Sequence, residues 1–478
     1  MRSFHLLGAA ASLSCLASAQ VTLTEITTVD LDSTSDPMNA EFIGSNPSAV
    51  AWDGVDLYVA GLNSSGANAD VGIVRVTDAA TAPTFGTPFG VLSTPNLRGY
   101  SGLDTKPLGF VGAAAVVASY DPGGSDPNGI AMYEGPTGIQ AWAKAGRGGS
   151  GVGWDPGVSG GTAQGVGAAW TTFGSGRRAL QETVTGADIW TSLDGMIIIT
   201  AAGTFWRDID FDDATGNVWL REGNNVISWE RTGDNSVTNG QIVVDPTDAD
   251  FVSGQNIAFL GGPDIVVYND RPATSGGQDF FASVQFIAQD GSPLTADFGS
   301  FAPATGVGYY DFSWDAASGT LAILDFSNRN AHIFSVDVGV GTNYCMANAN
   351  STGVAASISG SGSASLANND LVLTTVDMPL NATAYVVCSQ TQGFVMNPGG
   401  SMGNLCVGGS IGRFVGGIFD SGMTGSIAAN VDWTDVPQPT GNVMAMAGET
   451  WNFQTWFRDA VMGSATSNFS DGLSVTVQ

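Results

Sequence analysis

Three observations predict an all-β chain of two domains. An aromatic or large apolar residue followed by a turn-forming stretch recurs at Trp52-Asp53, Leu103-Asp104, Trp154-Asp155, Phe211-Asp212, Phe259 and Trp314-Asp315, at intervals of 48 to 57 residues. Repeats of roughly that length, made of short alternating strands and Gly-rich turns, mark blades that cannot bury their faces alone. The composition agrees: 66 glycines, 43% apolar and only 12% charged residues describe a turn-dense β protein with ample core material. Finally, the texture changes near Gly341, beyond which lie Cys345, Cys388 and Cys406, after more than three hundred residues without a cysteine. The expected order is a leader over residues 1–19, a six-bladed β-propeller over 20–340, and an antiparallel β-sandwich of jelly-roll or Ig-like form over 341–478.

The leader is read from a basic Arg2, a short apolar run from Leu6 to Leu16 and the small residues Ala17-Ser18-Ala19. A lipoprotein cleaved at Cys15 would carry Leu rather than Ser12 three residues earlier. No other apolar run approaches the roughly 20 residues of a spanning helix. The expectation is a secreted or cell-surface protein. Without Arg2 the chain carries 14 basic against 44 acidic residues, and Lys106 and Lys144 are its only lysines. Such a surface repels phosphate backbones, which argues against nucleic acid and leaves cations and basic surfaces as partners.

Within the repeats, Arg207 to Phe211 alternates as a strand, Asp212-Asp213-Ala214-Thr215-Gly216 turns, Asn217 to Arg221 returns, and Asn224 to Trp229 makes a third strand. Asp supplies the local side-chain hydrogen bond and Gly the positive φ of a tight hairpin. The pattern returns as Asp311 to Trp314, Asp315 to Gly319, Thr320 to Asp325 and Ala331 to Val336, and in shorter form around Trp52-Asp53-Gly54. The second, third and fifth repeats are degenerate, with Gly-rich insertions at 146–153 and 157–167, so seven blades is the alternative count. The runs DFDDATGNVWLREGNNVISW and FSWDAASGTLAILDFSNRNAHIFSV resemble NHL-type and related six-bladed propellers. That resemblance implies a fold and no particular activity.

The most chemically pointed segment is Trp206 to Asp212, where alternation puts Asp208, Asp210 and Asp212 on one strand face. Like charges so placed repel unless water, Arg or a cation intervenes. At the same register the later repeats offer Asn256 and Asp311, against Ala49, Tyr100 and Gly151 in the earlier ones. Oxygen ligands clustered on one side of a channel suit a hard cation, so Asp208, Asp210 and Asp311 are candidate Ca²⁺ ligands and Asn256 a candidate ligand contact. The alternative is that Asp212 and Asp315 cap turns while the others meet solvent or Arg207. Beyond the leader the single histidine is His332, which excludes a multi-His zinc site. Its place in Asn330 to Phe334 suggests a strand surface or edge away from the channel.

In an exported protein three cysteines argue for one disulfide and one spare thiol. Cys345 and Cys406 both adjoin Asn- and Gly-rich turns and are chosen as the pair, whereas Cys388 lies within the strand Ala384 to Ser389 as a buried thiol. Short alternating strands are read at 371–376, 384–389, 411–415, 426–429, 451–458 and 473–477. Along Trp451 to Arg458, Gln454, Trp456 and Arg458 share the face opposite the core, making Trp456 and Arg458 candidate sugar contacts, with packing beneath a loop as the alternative. The runs NYC, NSTG, SQTQGFVMNPGGSMGNLCVGGSIGR, AGETWNFQTWFRD and TSNFSDG resemble a C-terminal module of exported planctomycete-type bacterial proteins, over about residues 343–478. The resemblance implies no catalytic residue, and it implies that Cys345 pairs with Cys406.

These readings point to an exported, non-catalytic binding or cell-surface protein. Its propeller would serve as the ligand platform and its C-terminal domain would serve surface attachment or contact with an extracellular polysaccharide or surface protein. The alternative is a Ca²⁺-assisted propeller hydrolase or lyase acting on an extracellular polysaccharide or ester.

Overall fold

The computed structural model describes residues 21–477 except 64–68, 94–97, 107–114, 124–126, 147–149, 157–167, 174–176, 183–185, 191–205, 223–224, 234–235, 245–255, 271–282, 300, 302–307, 415 and 462. The expected leader and the 157–167 insertion therefore lie outside the described residues. The described chain is β throughout, apart from short 3-10 turns at Ala40–Ile43 and Pro398–Gly400, and divides into units Val21–Asp337 and Val338–Gln478.

The first unit is a succession of antiparallel meanders. Each begins with an inner strand, at Asn46–Trp52, Gly99–Lys106, Val152–Asp155, Trp206–Phe211, Ile257–Leu260 and Tyr309–Asp315, and continues outward through the strands that follow it in the chain. The meander from Trp206 shows why the sequence folds so. Asp212 Oδ1 accepts the Ala214 N–H at 2.9 Å and Gly216 takes φ 75°, closing the turn between Phe211 and Val218. The last meander takes its outer strand from Val21–Asp30, which pairs beside Asn330–Val338 and so joins the start of the described chain to the end of the unit.

Each inner strand packs against the next, and Tyr309–Asp315 packs back against Asn46–Trp52, closing a ring. Between sheets lie separate apolar layers: Val50, Trp52 and Val59 against Ala322, Leu324 and Ile333; Tyr58 and Ile73 against Tyr100 and Val116; Trp170 against Phe211 and Leu220; Trp219 against Phe259 and Tyr268. A closed ring of antiparallel meanders packed face to face is the arrangement of a β-propeller.

One register differs from the sequence expectation: the strand of Leu103-Asp104 runs on to Lys106, and Asp104 occupies the place of Asp210 and Ser313, which stand two residues before the turn residues Asp212 and Asp315. A two-residue slip preserves which face each side chain takes, so alternation could not detect it.

In the second unit Thr383–Ser389, Thr450–Val461 and Ser464–Thr476 form the centre of a large antiparallel sheet, with Thr342–Tyr344 at one edge and Gly412–Arg413 at the other. A smaller sheet of Ser357–Ser361, Val372–Val376 and Ile427–Asn430 shares its core with it: Ile358, Leu373 and Ala429 meet Val386, Cys388, Trp451, Phe453, Phe457 and Leu473. The hairpin Thr391–Met396/Asn404–Gly408, which the sequence reading did not mark as strands, lies over part of the large sheet's other face. Cys345 and Cys406 are bonded, with Cα atoms 6.2 Å apart, and Cys388 is free and buried, as expected from the sequence.

Candidate functional site: the channel mouth and an open sheet face

All the inner strands contribute to one cavity of about 650 Å³ at the centre of the first unit. Its wall carries Trp52, Trp154, Phe211, Phe259 and Trp314, and the carboxyls of Asp53, Asp56, Asp104, Asp208, Asp210, Asp213, Asp311 and Asp315, with Arg75 as its only guanidinium among the described residues. Arg75 is already taken, since its Nε donates to Asp56 Oδ2 at 2.7 Å.

The structure brings Asp208, Asp210, Asp311 and Asn256 together, as the alternation predicts, and gives the carboxyls a definite task. Asp311 Oδ2 accepts the Val50 N–H at 2.7 Å, Asp208 Oδ2 accepts Ile257 N–H at 3.0 Å, and Asp210 Oδ2 accepts Phe259 N–H at 2.6 Å. Asp104 Oδ2 does the same for Trp154 N–H at 2.6 Å, and Ser313 Oγ for Trp52 N–H at 2.9 Å. Asp104, Asp210 and Asp311 each also accept, through Oδ1, the N–H of the residue that follows them. Asn256 Nδ2 donates to Asp311 Oδ1 at 2.8 Å, so this predicted ligand contact is a brace for the carboxyl.

These bridges alternate around the ring. The strands containing Asp104, Asp210 and Asp311 supply side-chain acceptors, and the strands that follow them supply N–H donors. At Gly102, where the other accepting strands carry Asp208 and Asp311, a Cβ would sit 2.8 Å from Val152 N, too close for any side chain. Two intervening junctions use backbone and hydroxyl contacts instead, Gly151 N–H to Arg207 O at 2.5 Å and Thr105 Oγ to Trp52 O at 3.2 Å, and the third uses the Asn256 amide on Asp311 and Trp314 Nε1 to Gly261 O at 3.0 Å. Gly151 is what permits that approach, because a Cβ there would lie 2.5 Å from Asp208 Cα.

Burial sets the protonation of these groups. Desolvation pushes Asp210 and Asp311 up to about 7 against the pull of their N–H donors, and raises Asp104 and Asp208 well above the carboxylate range, with neighbouring Asp charges adding to the effect. Asp213 rises to about 6 by burial and then by the charges of Asp212 and Asp315. The repulsion implied by the sequence is thus relieved largely by retained protons. Among the described residues no three His, Cys, Asp or Glu side chains are grouped to hold an ion, and the oxygens a Ca²⁺ would need already accept N–H donors.

A pH dependence follows. Below pH 3.8 the folded and unfolded chains both hold these protons. As the pH rises towards 7 the unfolded chain releases its own first, so the folded state loses relative stability. The groups with lowered values, Glu25, Asp32 and Asp290, act in the opposite sense only below about pH 5. Thermal melts are expected to give a Tm higher at pH 5 than at pH 8 by on the order of 5 °C. A Tm that climbs steadily from pH 5 to 8 would contradict the assignment.

His332 is buried rather than on a strand surface: Nδ1 lies 2.9 Å from Glu25 Oε1 and 3.0 Å from Thr28 Oγ, and its ring packs against Phe301 at 4.5 Å, so it fastens the Val21–Asp30 strand. On the large sheet of the second unit, Gln454, Trp456 and Arg458 do share the outward face, but Gln454 is covered by the hairpin, donating to Asn404 O and Ser470 O and accepting from Cys406 N–H. Trp456 stacks on Tyr385, with centroids 4.6 Å apart and planes 25° apart. Arg413 lies over the far side of Tyr385 at 3.6 Å and Arg458 over Trp456 at 5.2 Å. Tyr385 and Arg413 were missed by sequence reasoning. The available signal was that Arg413 and Arg458 are the only Lys or Arg residues between positions 338 and 478.

No protein-family profile matches the chain, and no curated protein matches it. Among solved structures the chain is similar to the β-propeller domain of Myceliophteria thermophila Cps50 (Swd1), at 10% identity and a TM-score of 0.37, covering 61% of this chain and 84% of that one. It is also similar to the C-terminal WD40 domain of Sif2, at 13% identity and a TM-score of 0.35, covering 66% of this chain and 98% of that one. Both scores are low, and the fold rests on the strand pairings themselves.

Proposed function

We propose that this is an exported, non-catalytic binding protein: a six-bladed propeller that presents a ligand platform at its channel mouth, followed by a β-sandwich that contacts carbohydrate or attaches the protein at the cell surface. The observation that carries the reading is the cavity into which every inner strand projects. About 650 Å³ falls within the usual range of ligand pockets, and the wall sets aromatic side chains beside carboxyls held by backbone N–H groups. Asp104, Asp208, Asp210 and Asp311 accept backbone N–H groups, which supports reading these four carboxyls as fixed architecture rather than as free acids, bases or metal ligands. Six blades are supported by the six inner strands that pack in a closed cycle, and the sandwich by the core shared between two sheets.

The rival reading is the Ca²⁺-assisted hydrolase or lyase. Calorimetric titration of Ca²⁺ into the wild type and an Asp208→Asn/Asp311→Asn variant, together with a panel of polysaccharides scored for retention and for cleavage, separates the two. Retention without cleavage, and no Ca²⁺ heat in either protein, is expected. Cleavage that needs Ca²⁺ and disappears in the double variant would establish the enzyme instead.

A further inference from the structure

We propose that the open part of the large sheet in the second unit binds a polysaccharide bearing carboxylate or sulfate groups, gripped by Arg413 and Arg458 on either side of the Tyr385–Trp456 stack. This deepens the carbohydrate-contact reading above and rests on it. The sheet places the four side chains together by register. Arg413 pairs with Val387, two residues from Tyr385 on the same face; Tyr385 pairs directly with Trp456; and Arg458 follows two residues later on that face. The opposite face of the same strands, through Ala384, Val386, Phe453 and Phe457, is core, and the hairpin covers Gln454, so the stack is the part left open.

Charge makes the site specific. The second unit has eight acidic residues and two basic ones, and both basic ones converge on a single aromatic pair. Neither guanidinium is ion-paired with a carboxylate among the described residues, and both are exposed. In a unit so rich in acid, two arginines that meet rings rather than carboxylates keep their charge available to an anionic ligand. Contact with a ring restrains each guanidinium at low entropic cost, and its planar N–H fork is the group that recognises carboxylate or sulfate in bidentate fashion.

The stack also shapes what can bind. The faces of Tyr385 are taken by Trp456 and Arg413, so a sugar meets ring edges and cations rather than a bare stacking platform. A glycan that alternates apolar ring faces with anionic substituents fits that order. The chain's net charge of −29 opposes any polyanion at long range, so recognition here rests on the two local guanidiniums, and oligothymidylate in the test below separates glycan from nucleic-acid binding.

The full-length protein should be passed over immobilised polygalacturonate, dextran sulfate, dextran and oligothymidylate, beside Arg413→Gln/Arg458→Gln and Arg413→Lys/Arg458→Lys variants whose melting is checked first. The wild type is expected to be retained by polygalacturonate, by dextran sulfate or by both, with salt elution. Polygalacturonate alone would assign carboxylate recognition, and dextran sulfate alone sulfate recognition. The glutamine variant should bind at least tenfold more weakly, and the lysine variant should fall between, since it keeps charge but loses the planar fork. Equal retention of the glutamine variant, or retention by dextran as strong as by the charged polymers, overturns the anionic assignment while leaving carbohydrate contact standing. Retention by none of the glycans overturns both, and retention by oligothymidylate alone would make the face a nucleic-acid site.

Discussion

Replacing Asp311 by alanine is expected to lower the stability of the propeller by about 4 kcal/mol, because three donors lose their acceptor at once. Val50 N–H, Phe312 N–H and Asn256 Nδ2 all point at this carboxyl, in a place no water reaches easily: the residue is 4% exposed. Each stranded buried donor costs about 1–3 kcal/mol, and a carboxyl that already keeps its proton near neutral pH returns little desolvation energy when removed. Asp311→Asn keeps Oδ1 for two of the donors and turns an amide towards the third, so it should cost roughly 1–2 kcal/mol. Denaturant titration followed by tryptophan fluorescence ranks the three proteins. An alanine variant as stable as the wild type, or more stable, would mean that the carboxyl is a repulsive charge rather than a bridge.

Loss of the Cys345–Cys406 disulfide is the second large effect, expected at about 4 kcal/mol on the chain-entropy account for a loop of this size. The closed segment holds the smaller sheet's first two strands, the central Thr383–Ser389 strand and the covering hairpin. Freeing its ends therefore loosens most of the second unit in the unfolded ensemble. Melting of Cys345→Ser/Cys406→Ser should show one transition moved down by several degrees while the propeller transition stays in place. Thiol labelling gives an independent check: without reductant, Cys388 should react only after unfolding, as its burial and raised pKa of about 12 require. A double serine variant that melts with the wild type would remove the bond's structural role.

Much of this architecture was legible because it repeats. Trp52-Asp53, Phe211-Asp212 and Trp314-Asp315 carry both the end of an inner strand and the turn after it, and a period near 50 residues leaves few folds that could use it. The convergence of Asp208, Asp210, Asn256 and Asp311 was legible for the same reason. Their work was not, because a carboxyl that accepts an N–H from the next sheet has the same sequence signature as one that awaits a cation. Asp104 was misplaced by two residues, a slip that leaves its face unchanged, and Ser313 drew no notice although its hydroxyl fills the same role. In the second unit alternation put Gln454, Trp456 and Arg458 on one face correctly. Which of them stays open depends on a hairpin folded over the sheet, and that is a tertiary fact without a local signal.

Buried carboxyls that keep their protons join the inner strands through backbone N–H groups. Selective ¹³Cγ-aspartate labelling, with a pH titration of the wild type and of the Asp210→Asn and Asp311→Asn variants, reads those protons directly. Two resonances titrating near pH 7, one lost in each variant and neither moved by added Ca²⁺, is the expected result. Aspartate resonances that all titrate near the ordinary value of 3.8, with a subset shifted by Ca²⁺, would contradict it.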